Sequence, residues 1–300
     1  MNIVIKVSEE TKKKMIDYYK NKKREKTPPY AVFQADEEDT IITLYESGKI
    51  MFQGTSADID ANMWKEIDGQ TLKGEKANSQ NYYYCSAVGS DEVGTGDYFG
   101  PIVVTAAYVN KKDIPYLESL GIRDSKKIDD DKILKITKDI IKRIKYRSII
   151  INNKEYNKKH SKEQNMNKIK AILHNKVLYQ LINEEMINYD YIIVDEFAKE
   201  VKYYEYLVES PNIQKNIVFL TKAEDKNLAV AVASIISRFL FLKAMDQLSN
   251  DLQIILPKGA SAIVDQVGEE IVAKYGQEKL TEIAKLNFKN TTRILKTIIM

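Results

Sequence analysis

"YYYCSAVGSDEVGTGDYFGPIVVTAAYV", Tyr82 to Val109, decides the fold. "YYYCSAVGS" reads as a strand that ends at the acidic pair Asp91-Glu92, and "PIVVTAAYV" reads as a second, β-branched strand. Three glycines, Gly94, Gly96 and Gly100, lie between them, as in a dinucleotide-binding loop. Such a loop must open a helix whose N-terminus faces the pyrophosphate, and here Pro101 and a strand follow. No Gly-Lys-Ser/Thr stands here either, so a phosphate loop is excluded and two readings stay open: an acidic turn between strands, or an active site.

Outward from this stretch, helices and strands alternate. "DDDKILKITKDIIKRI" is a helix with acids at its N-terminal end, and "YRSIIIN" is a strand. "NMNKIKAILHNKVLYQLINEE" is a long helix, "YIIVDEF" and "NIVFLT" are buried-type strands, and "KNLAVAVASIISRFLFLKAMDQL" is a helix with a wide apolar face. This pattern predicts an α/β layer architecture. Upstream, "NIVIKV" predicts a strand, "SEETKKKMIDYYKNK" a helix capped by Ser8, and "YAVFQA", "TIITLYES" and "KIMFQG" three short strands. The polar stretch from Asp68 to Asn81 reads as a linker. The expected organisation is a small α+β unit over 1–67, a linker over 68–81 and a catalytic unit over 82–300.

The composition, 44% hydrophobic and 30% charged with a net charge of +3, is that of a soluble globular chain. No apolar run is expected to span a bilayer, and the first residues lack the features of a secretory signal. Cys85 is the single cysteine, so no intramolecular disulfide can form; this suits a cytoplasmic location.

The acids carry the chemistry. Asp195 ends the apolar strand "YIIV", and Glu224 and Asp225 sit between another strand and a helix start. In α/β layers, ligands gather outside the carboxyl ends of strands. Carboxylates forced together repel and imply cations, and oxygen ligands without His or Cys favour Mg²⁺ or Mn²⁺. With only His160 and His174 in the chain, zinc is disfavoured, and His174 reads as structural or surface. Two divalent ions about 3.5–4 Å apart suit phosphodiester hydrolysis. Gly94 and Gly96 would let main chain approach a sugar-phosphate and its 2′-hydroxyl.

"GSDEVGTGDYFGP", "RDSKKI" (123–128), "YIIVDEFA" (191–198), "TKAEDKNLAVAVASIISRFLFL" (221–242) and "LPKGAS" (256–261) together resemble the type 2 ribonucleases H, specifically ribonuclease HIII. The first unit is similar to the TATA-box-binding-protein-like module of that family. The resemblance implies an RNase H-like catalytic domain, a mixed sheet flanked by helices, that cleaves the RNA strand of RNA/DNA hybrids as a monomer. It implies that Asp91, Glu92 and Asp195 hold the metal, with Glu224 preferred over Asp225 as the fourth acid. Substrate contacts are expected from Gly94, Thr95, Gly96, Lys258, and Ser125 and Lys126, the last two with a polar helix cap as the plainer reading. In the first unit, Lys49, Phe52 and Gln53 have chemistry suited to nucleic acid, but strand alternation allows at most one of Phe52 and Gln53 to be core. Ser234 and Ser237 read as packing. In the related ribonuclease HII, Gly-Arg-Gly and a tyrosine stand where this chain has Thr95 and Ala260. The alternatives are ribonuclease HII-like incision at single ribonucleotides and a non-catalytic hybrid binder.

Overall fold

The structure is a computed structural model that describes residues 2–37, 40–54, 57–68, 82–122, 128–160 and 164–299. The chain divides into two units, Met1–Gln80 and Asn81–Met300. Of the expected linker, only Asp68 is described. It belongs to the first unit's packing, since its carboxylate accepts from the Ser8 backbone N–H at 2.9 Å and hydroxyl at 2.5 Å.

The first unit runs β1 (Asn2–Lys6), α1 (Glu9–Tyr18), β2 (Ala31–Glu37), β3 (Thr40–Tyr45), β4 (Lys49–Gly54) and α2 (Ala57–Ile67). The strands form an antiparallel sheet in the order β1-β4-β3-β2. Ser8 caps α1 through a bond from the Thr11 N–H. Alternation turns Phe33, Ala35, Ile50 and Phe52 inward, against Met15, Tyr19 and Trp64. Helix α2 was not expected from the sequence. It delivers Ala57, Ala61 and Trp64, spaced as one helical face, and the Trp64 indole N–H donates to the Tyr19 hydroxyl at 2.9 Å.

The second unit contains β5 (Ala87–Val93), β6 (Ile102–Val109), α3 (Ile114–Ser119), α4 (Asp130–Arg143), β7 (Lys145–Ile151), α5 (Asn153–Lys159), α6 (Met166–Glu185), β8 (Tyr191–Asp195), α7 (Glu200–Tyr206), β9 (Ile217–Leu220), α8 (Ala223–Lys226), α9 (Leu228–Leu252), α10 (Ala262–Tyr275), α11 (Leu280–Ile283) and α12 (Lys289–Ile299). Its mixed sheet has the order β7-β6-β5-β8-β9, antiparallel on the β7-β6-β5 side and parallel across β5-β8-β9. Helices α4 and α9 cover one face, and α6 covers the other.

Gly89 sets how closely α9 sits. A Cβ there would lie 2.2 Å from the Val230 nitrogen, so any side chain would push the helix off the strand. By length and composition α9 could cross a bilayer, contrary to the sequence expectation. Yet 67% of its most apolar stretch is buried inside the protein, as befits the core helix of an α/β layer.

Candidate active site

Strand β5 does not stop before the acids. The ladder with β6 continues through Asp91, opposite Thr105, and Glu92, opposite Val104. Both were expected just past the strand end; the pairing carries the strand further. Because side chains alternate, Asp91 turns to the α9 layer and Glu92 to the α6 layer. Asp91 accepts a bond from Ser234. The Ser237 hydroxyl bridges the Asp91 carbonyl, at 3.2 Å, and Thr105 Oγ1, at 2.8 Å. The two serines on the apolar face of α9 thus seat the acid, a role that packing alone does not describe.

Asp91 opens onto a cleft of about 290 Å³, lined also by Asp195, Glu224, Ser234, Arg238, Ile133 and Ile235. Asp195 is the last residue of β8, the parallel neighbour of β5. Its Oδ1 accepts from the Ala223 N–H at 2.9 Å and so ties the strand end to α8, which carries Glu224. Of the two candidates for the fourth acid, Glu224 lines the cleft and Asp225 does not.

Burial pushes the Asp91 carboxyl above the usual carboxylate range, and the charges of Glu92 and Asp195 add to that push. A hydroxyl and a backbone N–H oppose it only in part, and no Lys, Arg or His pairs with Asp91 among the described residues. A buried acid beside other acids is the electrostatic signature of a cation site. Among the described residues no three His, Cys, Asp or Glu side chains converge enough to enclose an ion. Mg²⁺ does not require such a cage: it is held by one or two carboxylates together with water and substrate phosphate. Asp91, Asp195 and Glu224 are the residues that fit such an ion.

Glu92 meets the opposite environment. Lys170 pairs with its Oε1, and His174 Nε2 lies 2.8 Å from Oε2. Burial pulls this carboxyl up, but the bonds and charges of His174 and Lys170 outweigh burial and hold it below the usual range. His174 is 0% exposed. Its Nδ1 faces the Ser90 hydroxyl at 2.6 Å, and its ring stacks on Phe197 at 5.2 Å, with the Lys170 ammonium 4.1 Å from the Phe197 ring centre. Glu92, expected to share the cleft, is not among its lining residues. The sequence reading missed Lys170 altogether, although it precedes His174 by four residues on α6 and so shares a helical face with it.

Beyond the acids, Gly94 has φ +97° and a Cβ there would lie 2.1 Å from the Pro101 carbonyl oxygen, so only glycine fits. Gly96 is exposed, with open space where a side chain would be, and Thr95 stands half-buried between them. The loop after α9 packs on this turn: Tyr98 N–H donates to the Gly259 carbonyl, and Gly259 N–H to the Asp97 carboxylate at 2.6 Å. Lys258 pairs with Asp130. Ala260 is exposed. Ser125 and Lys126 lie outside the described residues. In the first unit, Lys49 is exposed, and Gln53 stands on the same sheet face. Phe52, expected to touch substrate, is 0% exposed and belongs to the core: alternation sends it inward with Ile50.

Lys285 was also missed. It is 0% exposed, and its ammonium donates to the carbonyls of Asp97, at 2.7 Å, and Gly100, at 2.6 Å. Asn153 donates to the same Gly100 carbonyl at 2.9 Å. Desolvation lowers the Lys285 pKa to about 7 against a smaller upward pull from Asp97.

Residues 88–291 match the sequence model of the family "Ribonuclease HII", and residues 2–77 match a domain of unknown function, DUF3378. A ribonuclease HIII of Bacillus cereus is 38% identical over 99% of this chain and 99% of its own. The crystal structure of Bst-RNase HIII in complex with Mn²⁺ superposes with a TM-score of 0.71, at 38% identity over 99% of both chains. The Aquifex aeolicus RNase H3 structure shares the fold, with a TM-score of 0.55 at 23% identity. Identity at this level runs from end to end and takes in both units, and it makes the chain a member of the ribonuclease HIII family.

Proposed function

We propose that the chain is a metal-dependent endoribonuclease that hydrolyses the RNA strand of RNA/DNA hybrids, leaving 3′-hydroxyl and 5′-phosphate ends. The observation that carries this reading is the cleft. Three acids from β5, β8 and α8 line it, and burial beside other carboxylates holds Asp91 above the usual carboxylate range, with no Lys, Arg or His paired to it among the described residues. Divalent ions, Mg²⁺ or Mn²⁺ and two in number, supply an activated water and stabilise the leaving oxygen when bound there. Asp91, Asp195 and Glu224 would hold them; Glu92, which the family resemblance counts in the same set, faces the α6 layer and is held there by Lys170 and His174. The serines of α9 fix Asp91, and the Ala223 N–H fixes Asp195, so both present their oxygens without reorganisation.

Gly94 and Gly96 bring main chain to the substrate, with Thr95 and Lys258 beside it. Lys49 and Gln53 contact the hybrid from the first unit. The enzyme works as a monomer in the cytoplasm; a lone, buried Cys85 whose thiol is pushed up to about 11 by burial fits a reducing compartment.

Thr95 lacks a guanidinium fork and Ala260 cannot stack on a sugar, so main chain reads consecutive 2′-hydroxyls. The test compares kcat/KM on two duplexes that differ only in carrying one ribonucleotide or a run of them, with Mg²⁺ or Mn²⁺. The run is expected to be strongly preferred. Equal values would favour incision at single ribonucleotides, and binding without metal-dependent turnover would leave only a hybrid binder.

A further inference from the structure

Arg238 lines the same cleft as Asp91, Asp195 and Glu224, one helical turn beyond Ser234 on α9. Its guanidinium is fixed. Nε donates to Asp130 Oδ1 at 2.8 Å, the second terminal nitrogen lies 2.5 Å from the same oxygen, and the first donates to the Ile128 carbonyl at 2.9 Å. A guanidinium has five N–H groups in a rigid plane. Three are used by Asp130 and Ile128, which leaves two of the five. Its side chain is 32% exposed.

Asp130 is the first residue of α4, and its other oxygen pairs with Lys258. Burial raises this carboxyl, but the bonds and charges of Lys258 and Arg238 outweigh it and hold it ionised, below the usual range. One carboxylate therefore aims two cations from separate elements. A planar cation with two N–H groups to spare, on the wall of a cleft for phosphodiester chemistry, matches the paired non-bridging oxygens of a phosphate. Carboxylates lining the cleft would repel that phosphate, and a fixed cation offsets part of this before the reaction begins.

We propose that Arg238 is a substrate contact that donates to a backbone phosphate of the strand being cut, with Asp130 as its positioning residue. The proposal rests on the ribonuclease reading and adds a residue to its substrate-binding set.

The experiment uses the full chain and a hybrid duplex. Binding is measured without divalent metal at several salt concentrations, and kcat and KM with Mn²⁺. Arg238→Gln should weaken metal-free binding about tenfold, the value of a charge-assisted hydrogen bond. It should also flatten the log–log salt slope by about one unit, as one phosphate contact is lost. Arg238→Lys should keep the slope but lower kcat/KM, because the fork is gone. Asp130→Asn should lower kcat/KM without weakening metal-free binding, since both cations keep their charge and lose their aim.

Wild-type affinity and slope in Arg238→Gln would overturn the proposal even if its melting temperature fell, because that is what a mere staple between α4 and α9 would do. Should Arg238→Gln fail to fold, wild-type kcat/KM in Arg238→Lys would overturn it equally. A wild-type chain that neither binds nor cuts the hybrid would sink the ribonuclease reading itself, an outcome distinct from either.

Discussion

On the α9 side of β5, Asp91 rests on serine hydroxyls and faces other carboxylates across a cleft. On the α6 side, Glu92 is gripped by a lysine and a histidine. The two residues are adjacent in the chain and of the same charge, yet their carboxyl pKa values move in opposite directions. Strand alternation divides them, and the layer each one meets decides what it can do. One is left needing an external cation. The other already has internal ones.

The largest effect should come from Asp91→Asn. Losing a ligand that acts on transition-state charge worth several kcal/mol should cut metal-dependent turnover by about a thousandfold. Affinity for the hybrid should stay within a few-fold, and a variant that turns over normally would remove Asp91 from the metal set. The same assay sharpens the assignment on α8. Glu224→Gln should lose about a hundredfold in kcat, the scale of one electrostatic contact to the reacting group, whereas Asp225→Asn should not. The reverse result would exchange the two roles.

The α6 side should respond in stability. His174→Ala strands Glu92 and Ser90 in the interior and should cost about 3 kcal/mol of unfolding free energy in denaturant titration. Ser234→Ala on the other side should cost about 1 kcal/mol or less. It should instead move the activity profile to higher pH, because the bond that Ser234 makes lowers the Asp91 pKa. Comparable losses of stability at both sites would mean that the two layers do not differ as described.

The smallest effect concerns Lys285. Its folded pKa of about 7 lies below its ordinary 10.5, so between these values the unfolded chain binds more protons and stability rises with pH. From pH 7 to pH 8 that contribution amounts to about 1 kcal/mol. Lys285→Met should remove it, and an unchanged rise in the variant would show that the lysine is not its source.

The α9 side was legible in the sequence because its signals are local. The strand–glycine–strand run, the acid closing "YIIV" and the apolar helix each lie within a short window, and they come together in one cleft, although the helix's two serines, read as packing, bond to Asp91. The α6 side was not, because the partners of Glu92 come from 78 and 82 positions away, and a lysine and a histidine on an apolar helix carry no mark of what they will touch. The strand boundary at Asp91 was missed for a related reason: two acids read as a turn until a ladder partner pairs them. Helix α2 escaped notice because acids and amides separate the alanines and tryptophan of its inner face. Phe52 was misplaced: alternation allowed at most one of Phe52 and Gln53 to be core, and the core took the phenylalanine.

Lys285 also bears on the order in which the molecule is made. The turn after β5 is finished by residues 185 and 188 positions later in the chain, through the Lys285 ammonium and the pairing of Phe99 with Ala284. During synthesis, the segment bearing Asp91 leaves the ribosome long before these closing residues are translated. Until they emerge, the Asp97 carbonyl lacks the Lys285 donor, the Gly100 carbonyl keeps only Asn153, and Phe99 lacks its partner Ala284. The nascent chain is therefore expected to stay inert toward hybrids until Ala284 and Lys285 have been added. A chain ending at Thr281 should fail to cut even if its sheet is folded, which a ribosome-stalled series of increasing length would measure.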